Sequence, residues 1–238
     1  MHTITSFSRR ALIWAFAAVL ALGVSGCGSE TKERKAFTAF LQTNIVDKPG
    51  VRLPRVTPAN EKSFGQYNKH FAVIRDFNSA MDAKVTGPMY TILAKGIPNS
   101  MEELMTRRAD MATMRQGIVL LHSNVDAELA KADAQHASLK QPTDLMVVYD
   151  MAYARTVSDP ANMLNEFIPA MEATLASAEK LAAFLEANKD KLKFYGSMMQ
   201  VDDPQLQAEA KALTAQMDEN SREIIQAQRK MNAMISGR

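Results

Sequence analysis

The chain has 238 residues, of which 47% are hydrophobic, with 28 Lys and Arg against 26 Asp and Glu and a single Cys. That length suits one domain or two, and the apolar share excludes a globally disordered chain. One Cys excludes an internal disulfide scaffold, and a nearly balanced charge without a long basic run argues against a nucleic-acid surface.

The first segment reads as an address. Arg9 and Arg10 precede an apolar run over residues 11–22, and Gly23-Val24-Ser25-Gly26-Cys27 follows. A bilayer-spanning helix needs about 20 apolar residues; this run is shorter, and its positive start and small-residue end describe a secretory signal peptide over 1–26. The Cys after Val24-Ser25-Gly26 resembles the lipobox of bacterial lipoproteins, with Val where Leu is commonest. The resemblance implies cleavage between Gly26 and Cys27, a diacylglyceryl thioether on Cys27, and an acyl chain of the palmitate type on its new amine. One acyl chain binds a membrane marginally and two or more hold it stably, so such a product stays tethered. Ser8-Arg9-Arg10-Ala11-Leu12-Ile13 loosely resembles a twin-arginine export signal, but the strongly apolar run favours the general secretion route.

Removing 1–26 takes away two basic residues and no acidic ones, so the mature charges balance, and it takes away Trp14, the sole Trp. Gly28 follows the Cys, where Asp commonly retains bacterial lipoproteins in the inner membrane; the sorting rule therefore implies the outer membrane, periplasmic face. Lineages differ in this rule, which leaves the inner membrane as the alternative. Residues 27–29 are expected to form a short tether reaching roughly 10 Å at most, and 30–238 a single helical domain.

The mature chain then reads as helices. Phe37, Phe40, Leu41 and Ile45 give 30–46 a helical spacing,. Pro49, Pro54 and Pro58 mark a loop, and Thr57-Pro58 has the form of an N-cap followed by Pro at the first helical position. The next stripe is Phe64, Tyr67, Phe71, Ile74, Met81 and Val85, interrupted by Asn78 and expected to stop at Gly87-Pro88. A short apolar segment, 89–94, leads to Gly96.

Ser100-Met101-Glu102-Glu103 fits a capping box. From there apolar spacing continues to Leu139, a helix of about 58 Å that Gly117 is expected to bend or interrupt. A shorter helix over 144–157 follows, Ser158-Asp159-Pro160 is expected to start another, and Pro169 to kink or restart it. Two β-prone runs around Gly196-Ser197 predict a small hairpin near 191–201. Asp203-Pro204 opens the last helix, with Leu206, Ala210, Leu213, Met217, Ile224, Met231 and Ile235 on one face and Asn220 within that seam,. The fold class expected is all-α, an elongated bundle of about six helices.

Several segments resemble the YiaF-like family of bacterial lipoproteins: Arg34-Lys35-Ala36-Phe37, Phe40-Leu41-Gln42, Arg52-Leu53-Pro54, Ala80-Met81-Asp82, the stretch 132–141, and Ile168-Pro169-Ala170. The likeness covers most of the mature chain and is weakest in the last helix. It implies an anchored single-domain protein and carries no catalytic residue with it.

A search for chemistry finds no phosphate loop, no His-Glu-x-x-His pair and no nucleophile elbow. His122 and His136 on one helix stand about 21 Å apart, too far to share a metal, and His70 reaches either only through tertiary packing. Glu102-Glu103 and Asp202-Asp203 open helices, where negative charge favours the dipole. Ser197 reads as a turn residue. Arg107, Arg108 and Arg115 suit a solvated helix face, and Lys32, Arg34 and Lys35 lie where they could meet lipid head groups.

Methionine is the unusual quantity, 16 residues in all. The methionines cluster as Met101/Met105, Met111/Met114, Met198/Met199 and Met231/Met234, and spacings of three or four place thioethers on one helix face,. Thioethers suit Cu(I), but Met is also a flexible filler of cores and of grooves for varied apolar ligands. The expected function is a non-enzymatic binding module of the cell envelope, held to the membrane by lipid on Cys27, with envelope proteins as partners and no cofactor. The alternative is a carrier of apolar molecules or Cu(I) through Met-rich faces.

Overall fold

The computed structural model describes residues 25–96, 98, 100–195 and 198–237; the leader run and the turn residues Gly196 and Ser197 lie outside them. The all-α bundle expected from the periodicity is what forms, with one small antiparallel hairpin. No helix among the described residues is long and apolar enough to cross a membrane.

Helix α1 comprises Ser25–Leu41 and a π turn, Gln42–Val46. It buries Phe37, Leu41 and Ile45 at four-residue intervals,. Residues 27–29, expected as a tether, lie within it, so Cys27 stands about 4.5 Å from Glu30 along the axis. Helix α2, Pro58–Phe64, begins with the anticipated cap: Thr57 Oγ1 accepts from the Asn60 N–H at 3.2 Å, and Asn60 Oδ1 accepts from the Thr57 N–H at 3.1 Å,. It ends at Gly65, whose φ of +50° brings the backbone against the Glu33 carboxylate; a Cβ there would stand 2.1 Å from it,.

Helix α3 starts after a 3₁₀ turn and runs through Asn68–Met81, a π turn Asp82–Thr86, and Gly87–Leu93. The expected stop at Gly87-Pro88 does not occur. Pro88 offers no N–H, so the Lys84 carbonyl four residues earlier lacks its usual donor; Asn124 Nδ2 supplies one at 3.1 Å. The same device recurs in α6, which spans Thr143–Tyr153, a π turn Ala154–Ser158, and Asp159–Ala187. The expected new start at 158–160 is therefore absent: Pro160 frees the Thr156 carbonyl, and Asn78 Nδ2 donates to it at 3.0 Å. Asn78 is thus a tie between helices rather than a flaw in the stripe. Pro169 also lies inside α6 without ending it.

The expected long helix over 101–139 is two: α4, Met101–Thr106, and α5, Arg108–Ser138. The break falls at Arg107, whose guanidinium turns back to the carbonyls of Lys95 and Gly96 at 2.9 and 3.0 Å, and not at Gly117. Gly117 stays helical and lets Ile92 approach; a Cβ there would stand 2.7 Å from Ile92 Cδ1. Strands β1, Leu192–Tyr195, and β2, Met198–Val201, pair antiparallel with Leu192 opposite Val201. Helix α7, Pro204–Ser236, is capped by Asp203, whose Oδ1 accepts from the Gln205 and Leu206 N–H groups,.

Helix α6 is the spine, packed against α5 on one side and α7 on the other. Two cores lie along it. The larger joins α1, α3, α5 and the first half of α6 around Phe37, Ile74, Ile118 and Tyr149. The smaller joins α4, the start of α5, the far end of α6, the hairpin and α7 around Leu104, Met111, Leu181 and Leu192. Asn220 docks α7 on α6, its Nδ2 donating to the Ala173 carbonyl at 3.1 Å and to Ser177 Oγ at 2.6 Å.

Candidate functional site

Three apolar stripes face one another where α3, α6 and α7 meet. Val85, Met89 and Leu93 recur every four residues on α3; Pro160, Met163, Leu164 and Phe167 follow the π turn of α6; Met231, Met234 and Ile235 occupy the last turns of α7,. Between them lies an open groove of about 450 Å³, with Val51 at one end and Gln228 on its wall. Toward its end α7 is less deeply packed: Ala227 is buried, Met231 is half-buried and Ile235 is exposed. Tyr90, 74% exposed, stands at the rim.

The sequence-predicted methionines divide between core and groove. Met111 and Met114 are buried, one in each core, and Met101 and Met105 pack partly buried against the smaller core. That placement supports the gap-filling role. Met231 and Met234 line the groove, and Met89 and Met163, which the reading of the sequence did not pair with them, complete it. Their signal was present as apolar positions at helical spacing, but only the tertiary arrangement brings the stripes together.

A second cluster forms where the N-terminal halves of α1, α3 and α6 meet the end of α5. His70 is buried, with its Nδ1 2.8 Å from Gln141 Nε2, and the Tyr149 hydroxyl donates to the His70 carbonyl at 2.7 Å. His136 lies 2.8 Å from Asp150 and stacks 4.2 Å from the Tyr153 ring, whose hydroxyl donates to Asp133 at 2.7 Å. Tertiary packing thus brings both His70 and His136 against the Tyr149 ring, while His122 pairs with Asp126 elsewhere on α5.

Burial and the Glu30 carboxylate push the Tyr67 hydroxyl up to about 12. Tyr149 and Tyr153 are raised further, chiefly by burial. Burial, with Lys69 nearby, lowers His70 below the ordinary imidazole value. These groups hold one another, with their polar atoms turned into hydrogen bonds. Among the described residues, no three His, Cys, Asp or Glu side chains gather as a metal would require.

The remaining charged candidates are structural. Arg34 reaches Asp144 at 3.4 Å, Arg108 pairs with Glu186 at 3.0 Å, and Arg115 with Glu179 at 3.3 Å. Asp202 accepts from Lys193 at 3.0 Å across the hairpin, and Asp203 caps α7. Lys32 and Lys35 are exposed.

The comparison that decides the family is a match to the model of DUF3053, a protein family of unknown function, over residues 13–232. The chain belongs to the DUF3053 family. It is 28% identical over 204 residues to the protein called "Uncharacterized protein YiaF" of Escherichia coli K12, covering 84% of this chain and 85% of that one. The protein of the same name in Shigella flexneri matches to the same extent. No solved structure matches. The DUF3053 match takes in all three helices of the groove except the final residues of α7.

Proposed function

We propose that this DUF3053 member is a lipid-anchored protein of the bacterial envelope and a non-enzymatic binding module. Signal peptide 1–26 is removed, Cys27 carries the lipid, and the helical domain faces the periplasm from the outer membrane, with the inner membrane as the alternative site. The observation that carries the reading is the Cys after Val24-Ser25-Gly26, set at the tip of α1 where a Cβ on Gly28 would meet nothing within 4 Å. Space for bulky acyl groups is what that position requires. Its partners in this reading are the membrane, through the lipid, and other envelope proteins.

The test is Cys27→Ala in cells given a labelled fatty acid. The substitution is expected to abolish acyl labelling and membrane retention while the domain keeps its helical circular dichroism. A bare thiol on the natural protein, or an uncut leader, refutes the anchor. Capture from native membranes that repeatedly returns no envelope component argues against the binding role.

The groove favours a second reading, a carrier of apolar molecules. Its thioethers adapt to varied apolar shapes, and its volume falls within the range of about 300–1,000 Å³ common for small-molecule sites. Cu(I) held by the same Met side chains is the other form of this reading. Native mass spectrometry that finds neither lipid nor copper bound removes both.

A further inference from the structure

The apolar groove runs into a cleft of opposite chemistry. Val51 and Ile235 line both; beyond them the cleft, of about 620 Å³, is bordered by Asn44, Lys48, Arg52 and Ser236. The boundary between the two is rigidly built. Gly50 and Gly237 have φ of +72° and +69°, and their backbones touch: a Cβ on Gly50 would stand 2.1 Å from the Ile235 carbonyl oxygen, and one on Gly237 2.2 Å from the Gly50 nitrogen. From the other side Arg155 donates to the carbonyls of Val46, Lys48 and Gly50. The loop carrying Lys48 and Arg52 is thereby fixed against the end of α7.

Lys48 and Arg52 are exposed, and among the described residues neither cation has an ion-pair partner. An apolar slot that opens onto unneutralised cations has the polarity of an anionic amphiphile. We propose that groove and cleft form one site for a single-chain fatty acid, the tail along Met89, Met163 and Met231 and the carboxylate between Lys48 and Arg52. Along α3 the slot extends from Val85 to Leu93, about 12 Å, and with a volume of about 450 Å³ it suits one short extended chain. The proposal rests on the reading of the groove as a ligand site and adds the head group.

The experiment uses the full-length protein in phosphatidylcholine vesicles, photolabelled with dodecanoate bearing a diazirine near its methyl end and mapped by peptide mass spectrometry. Adducts are expected within 85–93 and 228–235. Unlabelled dodecanoate is expected to compete about tenfold better than dodecanol, the worth of one charge-assisted hydrogen bond. Lys48→Gln with Arg52→Gln, both at the surface, lowers dodecanoate to the level of dodecanol and leaves dodecanol unchanged; Leu164→Trp with Met231→Trp fills the slot and removes the adducts. Equal competition by the two in the unmodified protein overturns the head-group assignment while the groove reading stands. Adducts scattered outside the groove, or adduct formation blocked because a second copy of the chain covers it, overturn both.

Discussion

Asn78 and Pro160 give the sharpest test of how these helices stay continuous. Thr156 is 1% exposed, and its carbonyl, deprived by Pro160 of the donor four residues on, accepts from Asn78 Nδ2 at 3.0 Å,. Removing the amide with Asn78→Ala leaves a buried acceptor unsatisfied, a cost of about 1–3 kcal/mol. Pro160→Ala restores an N–H within reach of the same carbonyl, so the Asn78→Ala cost should shrink in that background. The expected coupling is about 0.5–2 kcal/mol. Urea denaturation of the two single variants and the double variant, followed by far-ultraviolet circular dichroism, measures it directly. Additivity within about 0.3 kcal/mol would refute the idea that the amide stands in for the missing donor. Asn124→Ala serves as the milder control, because Lys84 lies at an exposed site where water can replace the amide.

Two further outcomes follow from the region around α1 and the start of α3. Gly65→Ala forces a side chain into a backbone with φ of +50° and against the Glu33 carboxylate, and should cost about 1–3 kcal/mol; adding Glu33→Ala is expected to recover part of it, and full additivity in denaturant midpoints would contradict the close approach. His70 is held below its ordinary value by burial, so as pH falls through about 6.5 the unfolded chain binds more protons than the folded one and stability declines. That slope should flatten in His70→Gln; equal slopes for both proteins, measured by urea midpoints across this window, would show that His70 is not the group responsible.

Much of the architecture was legible because helix formation is written in local terms. The stripe from Phe64 to Val85, the caps at Thr57 and Asp203, and the hairpin near Leu192 each need only spacing and end chemistry. Proline misled at 88 and 160 because its local cost is real, yet an Asn from another helix offsets it, and no spacing rule contains that partner. Arg107 escaped for the converse reason. Apolar periodicity runs straight across it from Leu104 to Met111, and the break depends on carbonyls of Lys95 and Gly96 at the preceding chain reversal. The groove was half legible: Met231 and Met234 stand out on one helix, whereas Met89 and Met163 join them only after three helices have met.

The placement of that groove also bears on what can fill it. Cys27 and Val46 lie at opposite ends of α1, about 28 Å apart, and the groove opens beside the loop that follows Val46. Acyl chains on Cys27 would have to leave the bilayer to travel that distance, giving up about 0.8 kcal/mol for each methylene drawn into water. A slot of about 12 Å buries too few methylenes to repay the exposed remainder of such a chain. A lipid on Cys27, as proposed, would therefore be a poor occupant, and a separate single-chain molecule, whose tail enters from solution without crossing exposed surface, is the better match to the slot and its cationic mouth.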